Sequence, residues 1–359
     1  MNTTPDAPAA PAPLAPPILR ILAETTVAAD ATSALASGRE VTADDPRALR
    51  AALAAEFYRR HHMGRTDDGE ALAPRSLPDP ALEARLLAAM PHRHITREVE
   101  LLGDGDASGV PVLLDGVRVR AAPERLDTVR PGARARVRVR LDAARPAVSP
   151  GFFLCESTVP ARVRPTGILR VYLHITVPDT APRVWADVLG LLEGERLPYR
   201  AKIASSRTGY PRQDACVVYL GPESWDAAEL IADAARRLPG LGGTVSAFVR
   251  ELAPGVGAAW EPDDARPGMR RVSFGEHRAA ALAAGLTEHA LDPTARSREQ
   301  AVRDCLLEAG VDPADPAHNV TSPREVLPAP TPAAAPERPP RTRQTPPAGR
   351  PEPLTAAGC

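Results

Sequence analysis

No stretch of the chain approaches the roughly 18 uninterrupted apolar residues of a membrane span. Its first residues, MNTTPDAPAAPAPLAPP, lack the basic and continuous apolar regions of a secretory signal. A cytoplasmic protein is expected. Cysteines 155, 216, 305 and 359 have neither CxxC spacing nor a histidine pairing, so they read as reduced thiols rather than zinc ligands. No GxGxxG or GxxxxGK loop follows a strand, and neither a metal nor an organic cofactor is expected. An excess of one charge is also missing. With a net charge of −1, generic adhesion to nucleic acid or to an anionic membrane is excluded. No internal repeat is found.

What is present is a core-forming chain with biased ends. Hydrophobic residues make up 43% of 359, enough for a substantial core. Six of the 41 prolines fall in the first 17 residues and eleven between Pro323 and Pro353. Segments 1–17 and 321–359 are therefore expected to be disordered tails. Between them we expect a helical and β-meander region, 18–145, and a catalytic or peptide-binding region, 146–320.

ILRILAETTVAADATSALA reads as moderately helical. Asp45 then caps a helix with Pro46 at its first position, running to about His61. His61 and His62 point about 100° apart on such a helix and have no third ligand nearby. REVELL, VPVLL, VRVRAA and ARVRVRL, separated by Gly/Asp turns, form a small antiparallel meander. The alternating Arg134, Arg136, Arg138 and Arg140 make a solvated strand face or a peptide- or phosphate-facing one.

Thr166–Val177 is the cleanest strand, with Leu169, Val171, Leu173, Ile175 and Val177 on one face and Arg170, Tyr172, His174 and Thr176 on the other. Helices follow Pro182 and Pro222, flanking strands 199–204 and 215–220, and VSAFVREL reads as a further strand. Ser273 and Glu276 form a capping box for an alanine-rich helix expected to end at Gly285. A last helix spans Arg298–Ala309. Strands cluster first and alternate with helices later, which gives an α+β fold whose second half is an antiparallel sheet flanked by helices.

Tyr199 to Leu220 gathers most of the reactive side-chain types. Lys202 sits there among Arg200, Arg207 and Arg212. Cationic neighbours and partial burial favour a neutral amine, which makes Lys202 a candidate base; a solvated hairpin with scattered charges is the alternative. The first turn of the helix after Ser273 carries His277 and Arg278, where free N–H groups favour an anion; an ordinary capped helix is again the alternative.

The ordered run SPGFF, GILRVYLHITV, LPYRAKI with YPRQDACVVYL, FVRELAPGVGAAWEPDD and VSFGEHR resembles the Hop A-type family of type III effectors from plant pathogens and their relatives in actinobacterial peptide-modification clusters. The similarity extends upstream through LRAALAAEFYRRHH and VLLDGVRVRAAPERL, covering most of Ile18–Leu286. In class V lanthipeptide and thioamitide-type pathways, the resemblance implies a partnership with a kinase-like protein. That partner phosphorylates Ser or Thr of a precursor peptide, and the Hop-like protein eliminates the phosphate to leave dehydroalanine or dehydrobutyrine. A cyclase is a further implied partner.

Such a phosphothreonine or phosphoserine lyase needs a base for the Cα proton, cations for the leaving phosphate and a proton donor. Lys202 is the expected base. Arg170, Arg200, Arg212, Arg250, Ser273 and Arg278 are the expected phosphate and substrate contacts, and His174, Tyr210 or His277 the donor. One departure from the family pattern is Phe248-Val249-Arg250, where a lysine is expected after Phe-Thr. The alternative function is a non-catalytic subunit that presents the precursor peptide to a kinase or cyclase, using the VRVR strands for β-augmentation.

Overall fold

The computed structural model describes residues 13–66, 79–128, 136–161, 167–269 and 272–327. The calls on 1–12 and on 328–359 lie outside them. Everything described belongs to one compact unit that ends at Leu327.

The chain begins with helix α1 (Pro16–Ala23) and a three-stranded hairpin sheet of β1 (Thr25–Val27), β2 (Ser33–Ala36) and β3 (Arg39–Thr42). Only the first third of the segment expected to be helical is so. The β-branched TTV run favours extended backbone. Ala31, Ser37 and Gly38 then take positive φ at the two turns. Helix α2 (Pro46–Phe57) is capped as expected, Asp45 accepting from the Ala48 N–H at 2.8 Å. It then passes into a π turn, Tyr58–His62. Helix α3 (Pro80–Ala89) leads to the meander of β4 (His94–Leu101), β5 (Val110–Leu114), β6 (Val117–Ala121), β7 (Leu126–Thr128) and β8 (Arg136–Asp142), in the order β6-β5-β4-β8-β7. On its outer face Glu98 lies opposite Arg138 and Glu100 opposite Arg136. Arg136 and Arg138 thus face carboxylates, Arg140 lies opposite Thr96, and Arg134 lies outside the described residues. Val99, Val112, Ala121, Val137 and Val139 form a small core of their own beneath.

Seven antiparallel strands make the central sheet: β9 (Ala144–Ser149), β10 (Phe152–Glu156), β11 (Leu169–Ile175), β12 (Tyr199–Ala204), β13 (Arg212–Leu220), β14 (Arg250–Ala253) and β15 (Val256–Trp260). Their order is β14-β15-β11-β13-β12-β10-β9. Helices α4 (Ala181–Gly194) and α5 (Ala227–Ala235) belong to the back of the sheet, where Phe153 meets Trp185 edge-on at 6.3 Å. The π turn and helix α6 (Phe274–Leu291) cover the front, where Tyr172 meets His62 at 5.5 Å and Phe274 at 5.7 Å. Helix α7 (Arg298–Glu308) packs on α6. The α+β class and the helix-flanked antiparallel sheet stand as read from the sequence.

Two elements differ from expectation for local reasons. Helix α6 runs through Gly285 to Leu291, because this glycine marks a crossing rather than a stop. A Cβ there would lie 2.5 Å from Val302 Cα, so α7 can approach only a bare backbone. The stretch 245–249 is not strand: the Ser246 hydroxyl accepts from the Phe248 N–H at 3.1 Å, a local bond that competes with a ladder. At both ends the packed chain also reaches beyond 18–320. Leu14 and Ala15 are buried, the Ala15 N–H donates to Pro313 O at 2.8 Å, and Leu327 joins the main core.

Candidate functional site

Alternation along the central strands brings the basic residues to the front of the sheet. Lys202 lies opposite Val217 on one side and Leu154 on the other; Arg200 lies opposite Tyr219, which in turn lies opposite Arg170. Lys202 Nζ stands 4.2 Å from the centre of the Phe152 ring and 6.0 Å from that of Tyr219, a cation over aromatic faces. Among the described residues no carboxylate pairs with this ammonium. It is also the single lysine of the chain, alone among 44 basic residues.

Arg212 is buried one step away. Its Nε and Nη2 grip both oxygens of Asp214 at 2.5 and 2.7 Å, Nη2 reaches the Tyr58 hydroxyl at 3.2 Å, and its guanidinium lies 5.1 Å from the centre of Phe152. Burial pushes the Asp214 carboxyl up, but the Arg212 guanidinium outweighs it and holds it below the usual carboxylate range. His62 closes the group from above, with Nε2 3.6 Å from Asp214 Oδ2 and Nδ1 2.9 Å from the Ser246 hydroxyl. Burial pushes its imidazolium down to about 4, against the pull of Asp214. His62 is thus a neutral ring. It reaches this place because Gly275 has no side chain: a Cβ there would lie 2.1 Å from the ring.

A second buried network ties α6 to the chain that follows α7. Arg170 pairs with Glu261 through two nitrogens and lies 5.1 Å from the Tyr219 ring. Arg278, 1% exposed, donates to Pro316 O at 3.0 Å, to Asn319 Oδ1 at 2.8 Å, to His318 O at 3.4 Å and to His277 Nδ1 at 2.8 Å. With Nδ1 accepting, the Nε2–H of His277 donates to Asp264 at 2.8 Å. Burial, then the Arg278 charge, pushes His277 down to about 4. This histidine has no proton left to give in the arrangement seen.

The remaining predicted residues are dispersed. Arg250 pairs with Asp315. Ser273 caps α6 in the expected box with Glu276. Tyr210 is buried and donates its hydroxyl to Ala204 O at 2.7 Å. His174 is only partly buried and donates from Nδ1 to Thr244 O at 2.9 Å; burial lowers it. Arg200 is 71% exposed beside Glu156. Lys202, Arg200, Arg212 and Arg170 therefore share one sheet face, while Arg250, Ser273, His277 and Arg278 bond elsewhere.

Three participants were missed in the sequence: His62, Asp214 and Tyr58. Asp214 was legible, since a residue two places from Arg212 on a strand shares its face. His62 was not, because only the π turn, the kind of irregularity that often marks a functional position, carries it inward. The strongest overlooked signal was compositional, a lone lysine in an arginine-rich chain. Among the described residues no three His, Cys, Asp or Glu side chains gather as metal ligands, and no helix is long and apolar enough to cross a membrane.

A helix-covered antiparallel sheet whose front carries arginine–carboxylate pairs around one lysine defines the chain as an α+β protein. Residues 143–318 match the HopA1 effector protein family. Among solved structures, the effector protein from Pseudomonas syringae pv. tomato strain DC3000 is 15% identical with a TM-score of 0.42, over 74% of this chain and 95% of its own. The effector protein from Pseudomonas syringae pv. syringae strain 61 is also 15% identical, with a TM-score of 0.39 over 68% and 86%. No curated protein matches the chain.

Proposed function

We propose that the protein is a carbon–oxygen lyase that eliminates phosphate from phosphothreonine or phosphoserine in a precursor peptide, with Lys202 as the base. The observation that carries this reading is Lys202 itself, the sole lysine, held over Phe152 with no carboxylate paired to it among the described residues. Arginine would serve as well for binding charge, and the chain uses it everywhere else. Only lysine can present a neutral amine to a Cα proton. In the proposed step the Nζ lone pair takes that proton, the Cα–Cβ double bond forms, and the Cβ–O bond breaks with its electrons leaving on phosphate.

Arg200, the most exposed of the nearby guanidiniums, supplies the first contact for the leaving group. Arg212 and Arg170 contribute field from beneath rather than direct clamps, because Asp214 and Glu261 already occupy their donors. Tyr219, between Lys202 and Arg170 on the same face, is placed better than Tyr210 or His277 to hand a proton to the departing oxygen. A kinase-like partner would supply the phosphopeptide.

The internal neutralisation of Arg170, Arg212 and Arg250 by carboxylates favours a second reading, a non-catalytic subunit that binds and presents the peptide to a kinase or cyclase. Purified protein with a chemically phosphorylated threonine peptide separates the two. The lyase alone releases inorganic phosphate and leaves a dehydrobutyrine peptide lighter by one phosphoric acid; the presenter returns the peptide unchanged.

A further inference from the structure

Beyond Lys202 the same face holds a second concentration of positive charge. Arg97 from β4, Arg145 from β9 and Arg200 from β12 converge on the carboxylate of Glu156 from β10, at 3.4, 3.7 and 3.8 Å. Three guanidiniums thus share one carboxylate in the seam between the meander and the central sheet. Asp115, at the β5–β6 turn, also acts on Arg97. The seam is incompletely satisfied: Arg145 Nε is buried and has no acceptor among the described residues. Every ion-pair contact to Glu156 is longer than the short charge-assisted bonds of the buried pairs. Burial lowers Arg97, most strongly among the influences on it, as expected for a guanidinium short of counter-charge.

Arg200 and Lys202 are two residues apart on one face of β12, about 6.7 Å along a strand. That is also the distance between side chains at i and i+2 of an extended peptide.

We infer that the Arg97–Arg145–Arg200 seam is a subsite for an acidic side chain of the substrate peptide, two residues from the phosphorylated one. The inference rests on the lyase reading for the position of the phosphorylated residue. An incoming carboxylate takes the guanidinium donors of Arg97, Arg145 and Arg200 that Glu156 holds only loosely. The peptide then lies extended along β12 with its phosphorylated residue at Lys202.

The test uses the full chain and fluorescent peptides carrying a phosphonate isostere of phosphothreonine, whose carbon bridge cannot be eliminated. Glutamate or glutamine is placed two residues before or after it, and matched peptides have threonine in place of the phosphonate. Binding is read by anisotropy. Glutamate at one of the two positions should tighten binding about tenfold over glutamine, the range of a hydrogen bond to a charged group. Arg145→Ala, which leaves the Arg200 contact to the phosphate in place, should abolish that gain, and Glu156→Gln should enlarge it by removing the internal competitor. Equal affinity for glutamate and glutamine peptides at both positions would overturn the inference. So would a Glu156→Gln protein that only loses stability and binds the glutamate peptide no better. A glutamate gain without any phosphonate gain would leave the subsite standing and count against Lys202 as the phosphate site.

Discussion

Acidification should destabilise the fold well above the range in which carboxylates titrate, because two buried histidines must stay neutral. His62 and His277 are held down to about 4 by burial, against about 6.5 in an unfolded chain. The folded pKa is depressed, so each neutral ring contributes stability that is fully present above pH 6.5. That stability is lost as pH falls toward 4, because the unfolded chain takes up the protons first. The loss is about 1.4 kcal/mol per pH unit for each ring. Between neutrality and pH 5 each histidine should therefore remove about 2 kcal/mol. For a domain of this size that lowers the melting temperature by several degrees. His62→Phe, packed against Phe248, Phe274 and Tyr172, should lose the Ser246 bond at every pH but show a shallower pH dependence. Parallel melting curves against pH for the parent and this variant would refute the reasoning, as would a His62 titration midpoint near 6.5 by NMR.

Gly285→Ala should cost about 1–3 kcal/mol, because the added methyl meets the α7 backbone at Val302. Gly190→Ala, in α4 with open space around it, should be neutral or stabilise by up to about 1 kcal/mol; equal melting temperatures for the two would contradict the crossing geometry. Truncation to 18–320 should lower the melting temperature, since Leu14, Ala15 and Leu327 are core residues, each large apolar side chain being worth about 1.5–3 kcal/mol. A piece spanning 13–327 should melt with the full chain.

Much of the scaffold was legible because it is written in short-range patterns. The two faces of Leu169–Ile175, the Asp45 cap and the Ser273–Glu276 box each depend on residues a few places apart. The site was harder, since its pairings span the chain: Arg170 meets Glu261, and His62 meets Ser246. Arg278 is instructive. Its place near a helix start suggested an anion site, yet Phe274 and Leu282, one turn before and one after, lie on the same buried face. Periodicity outweighed the helix dipole there. Gly285 misled for the converse reason, since a glycine that permits a turn and one that permits close packing look alike until the neighbour is known.

The central claim is tested most directly by single-turnover phosphate release with saturating phosphopeptide, comparing the parent with Lys202→Arg. Arginine keeps the charge over Phe152 but cannot offer a neutral amine, so peptide binding should persist. Elimination should fall by the general-base factor of about 10² to 10⁴. A Lys202→Arg protein that releases phosphate within about tenfold of the parent would contradict the account and remove Lys202 as the base.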